Sequence, residues 1–287
     1  MRRYFLGLFL IVIGGLASAQ GLINPFDLEP SARAAGYGGA YCALAEGTDA
    51  LIFNPAGLSW GRGMALDSGY LAHMGGLSSV IWLAGAFGPF AAAFTTLSAG
   101  GIEDVPGGSA LGFSHMGAAV GAGIPGDLFG FRIPALRWGV GVSIRYDRAQ
   151  LADQMGSGLS LSLGALGIMP LGPWELRFGI AVEDIGFGIT FVDVQHRESW
   201  TMAMRAGVAL VTPFAKVAMD YAGGLRLGVG VRFSPMFEVR GGVAMAGAGL
   251  QFALGLGVQF NGFTLDYALL TYPIFAPSHR FGLSARF

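Results

Sequence analysis

The residues of this chain most able to do chemistry are charged side chains set two positions apart among large apolar ones. Arg145 and Asp147, Glu175 and Arg177, and Glu238 and Arg240 form such pairs; Arg205, Lys216, Asp220, Arg226, Arg232 and Asp266 sit in similar surroundings. A spacing of two puts both members on one face of an extended strand, where opposite signs can pair and offset the cost of leaving water. The chemistry expected from mixed signs is bracing, a structural charge network, with a polar path for solutes as its second use. Catalysis has little to work with. His73, His115, His196 and His279 show no metal-ligand spacing, and Cys42, the single cysteine, has no partner for a disulfide or a metal site, so it is read as a small packed residue. A hydrolase at a barrel rim would need His73, His196 or His279 to meet Asp104, Asp193 or Glu198, and ordinary solvation of loops accounts for those residues more simply. Gly121-Ala122-Gly123 and Gly228-Val229-Gly230 are followed by no helix start that could hold a phosphate, so no enzyme and no cofactor is expected.

The elements that must position these charges are strands. Leu225, Leu227, Val229, Val231 and Phe233 alternate with Arg226, Gly228, Gly230 and Arg232, and Trp174, Leu176, Phe178, Ile180 and Val182 alternate with Glu175, Arg177, Gly179, Ala181 and Glu183. The same period runs through 138–147 and 252–260. A helix would scatter the apolar members around its circumference, whereas a strand gathers them on one side. With 53% hydrophobic residues, 49 glycines and a mean hydropathy of +0.57, the composition points to a membrane, where only helices and closed barrels satisfy every backbone group. Period two selects the barrel. Large apolar residues on one face and small or charged ones on the other are what a lipid-facing wall around a polar or plugged lumen requires.

The pattern predicts an all-β, antiparallel up-and-down transmembrane barrel of about fourteen strands, near 63–70, 78–87, 90–99, 110–123, 136–148, 157–168, 174–183, 200–210, 214–221, 225–233, 237–246, 249–260, 263–270 and 279–287. Turn residues such as Gly88-Pro89, Thr212-Pro213 and Asn261-Gly262 fall at one end, the periplasmic end of a bacterial outer-membrane barrel, although 125–135 is long for such a turn. The longer polar connections, near 100–109 and 185–199, fall at the other. Residues 1–19 have the layout of a cleaved secretory signal peptide: Arg2 and Arg3, an apolar run from Phe5 to Leu16, then Ala17-Ser18-Ala19. The chain ends with Phe281, Leu283 and Phe287 on one face, a pattern resembling the signal read by the barrel assembly machinery. Outer-membrane lipid is the surrounding expected for such a wall. A net charge of -1 gives no reason to expect a nucleic-acid partner.

Residues 20–60 do not alternate, and the barrel proper is assigned to 61–287. This stretch holds Ala32-Arg33-Ala34-Ala35-Gly36-Tyr37-Gly38-Gly39-Ala40-Tyr41 and then Asn54-Pro55-Ala56-Gly57-Leu58. Its small residues suit tight packing inside a cylinder too wide for its wall side chains to fill. On these two runs the chain resembles the FadL-like outer-membrane transporters of hydrophobic compounds, especially the PorV/PorQ-type branch associated with protein secretion. The resemblance implies a hatch in the lumen containing Asn54, Pro55 and Ala56, and passive transport of small hydrophobic molecules. Its alternative is a non-transporting barrel that binds a secreted protein partner. A lateral exit for an apolar ligand is expected, if anywhere, around 85–89 or at Gly100-Gly101.

Overall fold

The computed structural model of the chain describes residues 24–103, 110–130, 132–186, 188–191, 196–246 and 249–287. The expected signal peptide, Asp104 and Asp193 lie outside these residues. The strands, in chain order, are β1 (Met64–His73), β2 (Ser78–Phe87), β3 (Phe90–Glu103), β4 (Ala110–Pro125), β5 (Arg137–Leu151), β6 (Gln154–Leu171), β7 (Trp174–Gly186), β8 (Ile189–Phe191) and β9 (His196–Glu198). They continue with β10 (Ala203–Val211), β11 (Ala215–Tyr221), β12 (Leu225–Ser234), β13 (Phe237–Ala246), β14 (Gly249–Phe260), β15 (Phe263–Thr271) and β16 (Ser278–Arg286).

Fourteen of these make a closed antiparallel barrel in which wall neighbours in sequence pair in space, β7 pairing with β10 past the small β8–β9 hairpin. The ring closes where β1 meets β16, from Ala65 opposite Arg286 to Ala72 opposite His279. Closure leaves no open edge in the fourteen-strand wall, where hydrocarbon would not tolerate one. The period of two decides which side chains meet lipid. Leu227, Val229, Leu254, Leu283 and Phe281 are exposed on the outside, while inward Arg240, Asp266 and Arg205 are buried. No helix among the described residues is long and apolar enough to cross a membrane; the crossing is made by strands.

The structure departs from the sequence reading mainly at the loop end. β5 and β6 run to Leu151 and from Gln154, a tight hairpin where the alternation predicts strand ends near 148 and 157. Beyond the apolar band both faces can be polar, so the period fades while the backbone ladder continues. The connection read as a loop at 185–199 contains β8, which pairs with β6 through Gly156–Phe191, and β9, which folds back onto β8. β10 accordingly starts at Ala203 rather than 200. The two regions expected to be irregular differ. Phe87 pairs with Phe90 across a regular tight turn, whereas the β3–β4 register shifts between Ala99 and Ile102, a bulge at Gly100-Gly101.

Candidate functional site

Residues 24–60 run through the inside of the ring. Two short helices, α1 (Ala32–Gly36) and α2 (Ala50–Phe53), and a 3₁₀ helix over Pro55–Trp60 are its regular parts. α1 starts at Ser31, whose Oγ accepts from the Ala34 N–H at 3.3 Å, and it packs along β13 to β16. Its small side chains let the backbones approach closely. A Cβ added at Gly255 would stand 2.8 Å from the Gly36 Cα, so glycine is needed on that strand. The 3₁₀ helix packs on β4, β5 and β6 in the same way, and a Cβ at Gly141 would overlap the Pro55 carbonyl. The inward glycines are thus a mould for this segment.

Asn54 holds the 3₁₀ helix to both neighbours. Its Oδ1 accepts from the Ala56 N–H at 3.1 Å, capping a helix that Pro55 opens at a position where no N–H is required. Its Nδ2 donates to the Ala165 carbonyl on β6 at 3.1 Å and to the Cys42 carbonyl at 3.3 Å. Asn54, Pro55 and Ala56 are all buried, as is the free Cys42, in line with its reading as a packed residue.

The charged residues singled out in the strands gather into groups that reach into this segment. Arg145 donates to Asp147 at 2.8 Å and to Asp184 on β7; His115 lies 3.1 Å from Asp147. The Arg145 guanidinium also lies 5.4 Å from the ring centroids of both Phe26 and Trp200. Arg177 bridges Glu175 at 2.6 Å and Glu46 at 2.5 Å. Arg205 and Arg226 converge on Glu29, at 2.9 and 2.5 Å, and Arg205 also meets Glu183 at 3.1 Å. Arg240 sits between Glu238, at 2.7 Å, and Asp266, at 2.6 Å, and Tyr37 donates to Glu238 at 2.8 Å. Arg232 reaches Glu238 only at 3.6 Å and is nearly half exposed. Asp220 accepts from the Tyr41 and Cys42 N–H groups at 2.8 and 2.7 Å. Lys216 stands apart: among the described residues it has no ion pair within 4.0 Å.

Sequence pattern missed the counter-charges on the luminal segment. Glu29, Arg33, Glu46 and Asp49 fall where no period assigns a face. Arg33 is the densest node, 3.1 Å from Asp49, 3.3 Å from Asp266 and 3.5 Å from Asp67. Its signal was present in the Ala-Arg-Ala run, a lone cation among alanines that must find carboxylates once buried. Burial pushes the Asp49 carboxyl up, against the pull of Arg33 and with help from Asp67. Glu29 goes the other way: burial alone would raise it, but Arg226 and Arg205 outweigh that and hold it below the ordinary 4.5. Burial also pushes the Cys42 thiol up, with Asp220 adding to it. That thiol is unreactive while it stays where it is.

At the loop end the inward surface changes character. Leu71, Val80 and Leu97 are buried against Leu28 and Phe113, and Ile189 and Phe191 against Phe113 and Trp200. Charges border both clusters: Arg280 stands opposite Leu71 and donates to the Leu28 carbonyl at 2.9 Å, and Arg145 lies against Trp200. At the strand that closes the ring, Phe281, Leu283 and Phe287 all face outward, and the Phe287 backbone exchanges hydrogen bonds with Met64 at 2.9 and 3.1 Å.

A closed wall that is apolar outside, with a filled and ion-paired interior, defines a transmembrane β-barrel of the outer-membrane type with an occluded lumen. Its fold is shared by solved barrels of that type. The monoaromatic hydrocarbon channel CymD is similar over 88% of this chain and 96% of its own, with a TM-score of 0.60 at 12% identity. The toluene transporter TbuX of Ralstonia pickettii is similar over 84% of this chain and 94% of its own, with a TM-score of 0.56, also at 12% identity. At such identity the likeness is one of fold. No protein-family model matches the sequence, and no curated protein matches it.

Proposed function

We propose that the chain is exported to the bacterial outer membrane and passes small hydrophobic molecules across it, with residues 24–60 as a hatch that must shift for the lumen to conduct. The observation that carries this reading is the pair of apolar clusters at the loop end, formed with Leu71, Val80, Leu97, Phe113, Phe191 and Trp200 and bordered by Arg280 and Arg145. These side chains are buried or half-buried in the closed state, so a solute would have to part them to enter, and each Å² of apolar surface it buries there contributes about 25 cal/mol. The ion pairs of the lumen offer such a solute nothing, so its way out is sideways. The bulge at Gly100-Gly101 adjoins these clusters, since Phe113 pairs with Ala99 beside it. The two similar structures are a toluene transporter and a monoaromatic hydrocarbon channel, which agrees with this class of solute. Phe281, Leu283 and Phe287 serve in this reading as the signal for the assembly machinery. The alternative, a PorV-type barrel that anchors a secreted protein, has no observation of its own in its favour.

The test is toluene binding to the detergent-purified mature chain, followed by Trp200 fluorescence with Trp200→Phe as the blank, and toluene uptake by cells with and without the gene. Saturable quenching that Leu97→Asp abolishes, together with slower uptake on deletion, is expected. No binding of toluene or of a fatty acid, with uptake unchanged on deletion, would sink the proposal.

A further inference from the structure

The arginines of this protein divide by location. Those deep in the lumen are matched to carboxylates or carbonyl groups. At the short-turn end, Arg62, Arg132 and Arg137 are exposed and, among the described residues, make no ion pair. All three line one cavity of about 630 Å³, with Trp60, Trp138 and a single carboxylate residue, Asp127, around it. The Arg137 guanidinium lies 5.4 Å from the centroid of the Trp60 ring, which holds it toward the opening. An excess of cations around a concave space that also offers indole faces is built for an anionic group.

The loop that forms one wall of this cavity is the long connection at the end where the others are tight turns. Its 3₁₀ helix, Gly126–Phe129, turns Leu128 and Phe129 outward, 73% and 55% exposed, and Phe129 stacks on Trp138 with ring centroids 5.8 Å apart at 15°. Leu136 lies on the outer wall beside Gly167 of β6. Apolar side chains facing the bilayer thus adjoin arginines at its surface. A free anion would have no use for the first half of that arrangement, while a molecule with an acidic head and hydrocarbon tails uses both.

We propose that the cavity between the hatch exit and the β4–β5 loop binds the phosphate headgroup of an anionic phospholipid in the inner leaflet, with its acyl chains on Leu128, Phe129 and Leu136. The site rests on the barrel standing in a bilayer with its short turns at the periplasmic face; it does not depend on what the lumen transports. Native mass spectrometry of the mature barrel, released from neutral detergent, counts bound lipid after titration with phosphatidylglycerol or with phosphatidylcholine of the same chains. Phosphatidylglycerol is expected to bind about tenfold more tightly, and the preference disappears in the Arg132→Gln/Arg137→Gln variant while the barrel keeps its heat-sensitive gel migration. Millimolar inorganic phosphate does not displace the lipid. Equal binding of the two lipids by the wild type, or a preference that survives the double substitution, overturns the assignment; competition by inorganic phosphate assigns the cavity to a free anion instead. Should the double variant fail to fold, the wild-type preference and its loss in high salt decide the matter alone.

Discussion

The ion pairs between wall and luminal segment make a quantitative prediction about Glu29→Gln. In the native chain the Glu29 carboxylate is the shared partner of Arg205, at 2.9 Å, and Arg226, at 2.5 Å, and all three side chains are mostly buried. Neutralising it leaves Arg226 with no ion-pair partner among the described residues, while Arg205 keeps Glu183 at 3.1 Å. Breaking a buried pair from one side costs about 3–5 kcal/mol, and the retained Glu183 contact argues for the lower end, about 3 kcal/mol. That loss falls on the docking of residues 24–60, because the β-ladders of the wall do not involve Glu29. Each 1.4 kcal/mol is a factor of ten, so the undocked population should rise by about two orders of magnitude.

Cys42 reports on that population directly. It is the chain's single cysteine, fully buried in the seam between luminal segment and wall, and its thiol is pushed up by burial. When reclosing is fast, the rate of maleimide labelling follows the open fraction. The Glu29→Gln protein should therefore label about a hundredfold faster than wild type while its barrel still migrates as folded. Glu46→Gln supplies the contrast. Glu46 also pairs with an arginine, Arg177, but is 54% exposed, and an exposed pair contributes about 0–1 kcal/mol, so labelling should rise no more than about fivefold. If the two substitutions accelerate labelling equally, or Glu29→Gln not at all, the ionic docking described here is wrong.

Three further outcomes follow from the same geometry. Gly141→Ala, which forces a methyl group into the Pro55 carbonyl, should loosen the segment by about 1–3 kcal/mol and speed Cys42 labelling, whereas Gly85→Ala, whose new Cβ would come no nearer than 3.4 Å to the Leu66 side chain and 3.8 Å to the Ala65 carbonyl oxygen, should leave it unchanged. Acid should release the segment through Glu29: its folded pKa lies below the unfolded 4.5, so its stabilisation is complete above that pH and is lost as pH falls below it toward the depressed value. Hydrogen exchange at the Gly38 and Gly39 amides, which bond to the Ala35 and Ala34 carbonyls, corrected for intrinsic rates, should show this loss in wild type and not in Glu29→Gln. Phe287→Ala keeps the backbone bonds to Met64 but removes the terminal ring; a fall in assembled barrel with normal synthesis is expected, and wild-type yield would reduce Phe287 to an ordinary strand end.

What was legible in the sequence, and what was not, follows the source of each constraint. Lipid imposes one rule on every wall residue, large and apolar at alternate positions, so the fourteen wall strands could be placed from Leu225–Phe233 and its counterparts to within a few residues. Where β5 and β6 leave the apolar band the rule lapses, and their extension to Leu151 and from Gln154 was lost with it. Same-face charges two apart were legible too: Arg145 does meet Asp147, Arg177 meets Glu175, and Arg240 meets Glu238.

The luminal segment obeys no period, because its shape is dictated by the space the wall leaves. Glycine on an inward position announces only that something comes near; that Gly141 meets Pro55 and Gly255 meets Gly36 is settled by the closure of the whole ring. The same holds for charge. Alternation could place Arg205 and Arg226 on the inner face, but their meeting at Glu29 joins residues 176 and 197 positions apart in the chain. Such a bond needs wall and segment both in place, and it adds nothing to the ladders between the strands. Substitutions at these arginines and at Glu29 should therefore change how readily the segment moves far more than whether the wall forms.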